Sequence, residues 1–209
     1  MKSMNRCSAD TQAPLETYFL NRLALDKMMA PRAINLYQVL EEVYAFAEVP
    51  TLQDFLDQFC EAAVSEKYGW KQGSPGNLLY FAEILEFLVE VGYLLNRQTS
   101  PKSWNLTKRD VSTLPGSALP VRLTSQEYRQ PRLVLRQFFR AASLPAWKLT
   151  LHNWLESALS NFSIVENTEP AGLLAFRRYF EKLVEAGYLI LARWRENKTG
   201  RPAGAGAAR

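Results

Sequence analysis

The sequence predicts a mainly α-helical protein with small β-hairpins, built as two tandem domains of one design. Three observations carry that expectation. The segment PGNLLYFAEILEFLVEVGYLL, from Pro75 to Leu95, returns as PAGLLAFRRYFEKLVEAGYLI, from Pro170 to Ile190, at an offset of 95 residues and without a gap. Apolar residues recur every three or four positions along both segments, the period of a helix with one buried face. Each segment closes on Gly-Tyr-Leu and runs into a short apolar stretch and then turn formers, the pattern of a helix handing over to a hairpin.

The repeat extends upstream in the same register. Leu40 pairs with Leu135, Ala47 with Ala142, Pro50 with Pro145, Leu56 with Leu151, Glu61 with Glu156 and Ala63 with Ala158. Tyr44/Phe139 and Phe59/Trp154 keep aromatic bulk. Glycines and prolines match as well as leucines, which two unrelated amphipathic helices would not achieve. Two copies are too few for a solenoid, so the expectation is an internal duplication.

The elements follow in order. Residues 12–30, with Leu15, Tyr18, Phe19, Arg22 and Leu23, form an amphipathic helix with no counterpart in the second copy; it either covers an exposed face or mediates a dimer. Tyr37, Leu40, Tyr44 and Ala47 mark the first helix of copy one, which Pro50 ends. Thr51 to Asp54 supplies a cap for a second helix bearing Leu52, Phe55, Leu56 and Phe59. YGWKQGSPGN is a loop. Ser74 caps a third helix, Pro75 fits its first turn, and Leu78, Phe81, Leu85, Leu88 and Val89 form its stripe. Gly92 terminates it, YLLNR is a strand, QTSPKS a turn and WNLTK the return. In copy two, helix one runs from about Pro131 to Ser143. Helix two follows Pro145 with Trp147, Leu151, Trp154, Leu155 and Ala158. Helix three carries Leu173, Phe176, Phe180, Leu183 and Val184 up to Gly187, and YLILARWR opens a stunted hairpin.

Three helices, a glycine-terminated GYL and a hairpin resemble the winged helix-turn-helix family. LVEVGYLLNR and LVEAGYLILAR carry the likeness most clearly, over residues 33–110 and 130–196. The resemblance implies two tandem winged-helix domains, and such domains serve as DNA readers and as protein-interaction modules alike. The expected organisation is an N-terminal arm (1–32), an acidic first domain (33–110), a basic linker (111–130), a basic second domain (131–196) and a disordered tail (197–209).

Charge is distributed unevenly. Residues 33–96 carry a net −8 and residues 97–140 a net +7, an asymmetry that speaks to partners. The first reading is association with double-stranded DNA, as a transcription regulator or a component of a DNA-bound complex. The candidate phosphate contacts are Arg97, Lys102, Lys108, Arg109, Arg129, Arg132, Arg136 and Arg140 in the basic middle. Arg177, Arg178 and Lys182 join them on the last long helix, with Arg193, Arg195 and Lys198 on the second wing. Arg129, Arg132, Arg136 and Arg140 recur at helical spacing, as one basic stripe. The third helix of copy one argues otherwise. Its Glu83, Glu86 and Glu90 would be repelled by a phosphate-lined groove, so they are candidate contacts to a protein partner. The alternative reading is therefore a non-enzymatic interaction adaptor or a self-assembling scaffold, acidic face on basic face.

Catalysis has no foothold. Neither a phosphate-binding glycine loop nor a nucleophile elbow is present, and His152, the sole histidine, aligns with Asp57 of copy one. Cys7 and Cys60 form no CxxC, so no metal site and no cofactor are expected. The start MKSMNRCSADTQAP lacks the apolar core of a signal peptide, and no long apolar run suggests a membrane span, so the expected location is cytoplasmic.

Overall fold

The computed structural model describes residues 35–66, 74–98 and 121–199, with side chains to residue 196. The helix expected over 12–30, the return strand WNLTK, Cys7, Lys102, Lys108, Arg109 and residues 200–209 of the tail lie outside the described residues, while residues 197–199, also expected in the tail, continue the last helix. Seven α-helices and one 3-10 turn make up the described chain: α1 Leu36–Phe46, α2 Val49–Val64, α3 Pro75–Arg97, α4 Ser125–Arg129, α5 Arg132–Ala141, α6 Leu144–Ala158, the turn Ile164–Glu166, and α7 Pro170–Thr199. The starts of α2 and α6, and of α3 and α7, fall at the 95-residue offset.

The winged-helix expectation is overturned: among the described residues there is no strand, hence no hairpin wing. YLLNR is the last part of α3, and YLILARWR lies within α7. The apolar rhythm does not switch period at the glycines. Leu88, Val91 and Leu95 stay buried on α3, as do Val184, Leu191 and the intervening Gly187 on α7. Gly92 and Gly187 are therefore interior helix residues rather than terminators. The prolines are also reassigned. Pro50 and Pro145 do not end the helices before them; each sits in the first turn of the next helix, where its missing N–H is no loss.

Local chemistry sets the other boundaries. Asn35 accepts from the Tyr37 amide at 3.1 Å to open α1, and Ser143 accepts from Ala146 at 3.4 Å to open α6. Thr124 and Glu127 form a reciprocal capping box on α4, with Glu127 Oε2 accepting from the Thr124 amide at 2.8 Å.

The two copies do not stand apart. Their buried side chains form one core running from Leu36, Leu52 and Leu88 to Phe138, Phe180 and Ile190. Helix α2 packs principally on α6 and α7 of the other copy, and α6 on α2 and α3, so the second helix of each copy covers the third helix of its twin. Polar contacts follow the same exchange. Gln53 on α2 donates to the Glu181 carbonyl at 3.0 Å, and its counterpart Lys148 on α6 reaches Glu90 at 2.6 Å. Rings join the halves: Phe59 meets Phe176 at 6.5 Å, and Tyr37 stacks on Trp194 at 5.1 Å.

Candidate functional site

The cations singled out in the sequence divide into those held by their own chain and those left outward. Arg177 pairs with Asp57 of copy one at 2.7 Å and with Glu181 at 3.1 Å. Lys182 binds both oxygens of Glu127 at 2.7 and 2.9 Å. Burial alone would raise the Glu127 carboxyl, but the Lys182 and Thr124 hydrogen bonds win and lower it. Arg193 is buried at 4% exposure and donates to the Tyr128 carbonyl at 2.6 Å. Arg195 meets Glu41 at 3.1 Å. Arg132 donates to the Gln98 carbonyl at 2.7 Å, and burial pulls its pKa down. Arg97 lies over the Tyr93 ring at 5.5 Å. The side chain of Lys198 is outside the described residues. The expected stripe is also broken: Arg129 belongs to α4, and only Arg132, Arg136 and Arg140 share α5. Arg129, Arg136, Arg140 and Arg178 are exposed and make no ion pair among the described residues.

The three glutamates of α3 divide too. Glu90 is fully buried against Lys148, so it is a structural anchor between copies and no surface contact. Glu86 is half-buried. Its carboxyl is pushed up to about 7, chiefly by burial, with Lys148 opposing and Glu90 and Glu83 reinforcing the shift. Glu83 is exposed. The counterparts of Glu86 and Glu90 are likewise internal. Glu181 meets Arg122 at 3.5 Å, and Glu185 accepts from the amides of Val121, Arg122 and Leu123, pinning the end of the linker to α7.

A surface feature that the sequence reading passed over emerges beside Glu83. Phe46, the last residue of α1, is 42% exposed, and Tyr80, in the second turn of α3, is 48% exposed. Their rings meet edge to face at 5.0 Å. Phe46 also lies 6.2 Å from Phe55, which contacts buried Phe81 at 5.8 Å, so the outer rings are rooted in the core. Exposed acids neighbour each of these residues in sequence: Glu48 follows Phe46, Asp54 precedes Phe55, and Glu83 stands one turn beyond Tyr80. Aromatics read along a single helix look like core stripe; the signal lay in comparing copies. At the 95-residue offset, Phe46, Phe55 and Tyr80 become Ala141, Thr150 and Ala175, and Glu48, Asp54 and Glu83 become Ser143, Leu149 and Arg178.

Among the described residues no cluster of His, Cys, Asp and Glu is placed to hold a metal ion, and no helix is long and apolar enough to cross a membrane. Cys60 is half-buried, and burial pushes its thiol up to about 12, which leaves almost no reactive thiolate at neutral pH. Comparison of the chain with family models, curated proteins and solved structures finds no match.

Proposed function

We propose that the protein is a non-catalytic interaction module whose contact face is the Phe46–Tyr80 aromatic pair with its acidic surround. The observation that carries this reading is the difference between two copies of one scaffold. Helices α1 and α3 pack together as α5 and α7 do, yet the second pair manages with Ala141 and Ala175 where the first has Phe46 and Tyr80. The helix pairing therefore does not require the aromatics. Large rings half in water, rooted behind by further rings, are the usual anchors of protein interfaces. The acids around them select a cationic, amphipathic partner.

A second reading, association with double-stranded DNA, draws on Arg129, Arg136 and Arg140, which remain outward from the basic middle of the chain. One binding experiment separates the two. A fluorescent helical peptide carrying leucine and arginine four residues apart is expected to bind the wild type. It should bind at least about tenfold more weakly to a Phe46→Ala/Tyr80→Ala variant whose helical circular dichroism is unchanged. No peptide binding, with salt-sensitive binding of duplex DNA lost on Arg129/Arg136/Arg140→Ala, transfers the function to the second reading.

A further inference from the structure

The first turns of α7 present the complement of the acidic aromatic face. Leu174 is 68% exposed. Arg178, four residues on and on the same side of the helix, is exposed and has no ion pair among the described residues. Toward the helix start the residues beside Leu174 are small, with Ala171 and Gly172 exposed and Ala175 half-exposed, while Arg177 one turn on is drawn to Asp57 and Glu181, so a flat aromatic surface can approach from that end. Leu79, the counterpart of Leu174, is itself 47% exposed next to Tyr80.

Building on the interaction reading above, we infer that the partner of the acidic aromatic face is the start of α7 of a second copy of this chain, with Leu174 seated on Phe46 and Tyr80 and Arg178 facing Glu83. Charge complementarity selects this occupant. The offset-95 positions that are Glu83 and Arg178 carry opposite signs on one scaffold, so like faces repel and unlike faces attract. The contact is not made within one molecule, because Tyr80 and Leu174 are both left exposed in the same chain. Joining unlike faces is head-to-tail. Each added chain leaves one face of each kind free, and the assembly grows as a filament or closes into a ring. The face is small and rimmed by charge, so the association is weak, concentration-dependent and salt-sensitive.

The test is mass in solution, by light scattering or sedimentation, from about 10 µM to about 1 mM chain, at about 50 mM and about 500 mM salt. Wild-type mass is expected to rise above monomer with concentration and to fall back in high salt. Phe46→Ala/Tyr80→Ala removes one face and Leu174→Ser/Arg178→Ser the other. Each variant should stay monomeric, and an equimolar mixture should form a species of two chains and no larger. Arg178→Glu, a single exposed change, should weaken association by about tenfold, and adding Glu83→Arg in the same chain should restore it. A wild type that is monomeric throughout, variants that still associate, or a mixture that fails to pair would each overturn the inference. If that monomeric wild type still binds the leucine–arginine peptide through Phe46 and Tyr80, the interaction reading survives and only the second copy is rejected. If it binds neither, both fall.

Discussion

Gly187 and Gly92 hold the same place in the two copies, yet a methyl group would meet different neighbours at each. A Cβ on Gly187 would lie 2.5 Å from the Tyr44 hydroxyl, which donates to the Val184 carbonyl at 2.6 Å. A Cβ on Gly92 would meet Leu135 and Leu183 at 3.4 Å and the Phe139 ring at 3.7 Å, ordinary contact. Gly187→Ala must displace a hydrogen-bonded ring and is expected to cost about 1–3 kcal/mol. Gly92→Ala gains helix propensity and should stabilise by about 0.5–1 kcal/mol. Copy two shows the remedy, since Phe139 is Tyr44 without its hydroxyl. Adding Tyr44→Phe should therefore recover most of the Gly187→Ala loss, a non-additivity that urea unfolding of the two singles and the double would measure. Equal effects of alanine at both glycines would contradict this packing. The glycines themselves were legible in the sequence, but their role was not. A glycine after a run of periodic residues looks the same whether it stops a helix or admits a neighbouring one, and the deciding atoms belong to helices far away in sequence.

At the scale of the element, the starts of α3 and α7 were legible, whereas those of α2 and α6 were not, since Thr51, read as a cap, lies inside α2, whose N-cap is Glu48. The helix ends were not legible either. Pro75 and Pro170 announce α3 and α7 through a local steric rule. The supposed strands YLLNR and YLILARWR hold mostly leucine, alanine and arginine, strong helix formers, and a single β-branched residue, Ile190. The helical spacing of Val91 and Leu95 continues the stripe past the glycine. The acidic face of α3 was legible as composition only; that Glu90 is buried depends on Lys148 arriving from α6. This packing has a pH signature. The groups facing Glu86 are Lys148 across the interface and Glu83 and Glu90 on its own helix. Its folded pKa, about 7, stands above its ordinary 4.5, so the folded state favours the protonated form. That contribution is complete below the ordinary carboxylate range and is lost as pH rises through about 7. Glu86→Gln keeps the neutral form at every pH. Discounted for partial exposure to about 1 kcal/mol, its advantage over wild type should widen by about 2–4 °C in Tm between pH 5 and 8. Parallel Tm profiles for the two proteins would show that Glu86 titrates normally.

For the whole molecule, the duplication was plain in the sequence, whereas the exchange of helices between copies was not, because amphipathic stripes state which face is buried but not against what. That exchange makes the duplicated chain one cooperative unit. Leu52, Leu56 and Phe59 of α2 are fully buried with α6 and α7 as that helix's principal partners, and Leu151 and Trp154 of α6 lie nearly so in the contact with α2 and α3. Dividing the chain between residues 110 and 120 would bare all of these. Each large apolar side chain returned to water costs about 1.5–3 kcal/mol, so the loss from a handful matches the whole stability of a domain, about 5–15 kcal/mol. Each half expressed alone is therefore expected to lack a cooperative thermal transition and near-ultraviolet aromatic dichroism. Equimolar mixing should restore both, because aromatic rings meet across the halves: Phe59 packs on Phe176 and Tyr37 stacks on Trp194. The intact chain should unfold in one urea transition, reported identically by tryptophan fluorescence, to which Trp70 in copy one and Trp147 and Trp154 in copy two contribute, and by helical circular dichroism. A half that melts cooperatively alone, or two separated transitions in the intact chain, would mean that the copies are independent domains and that the exchanged contacts contribute little to holding them.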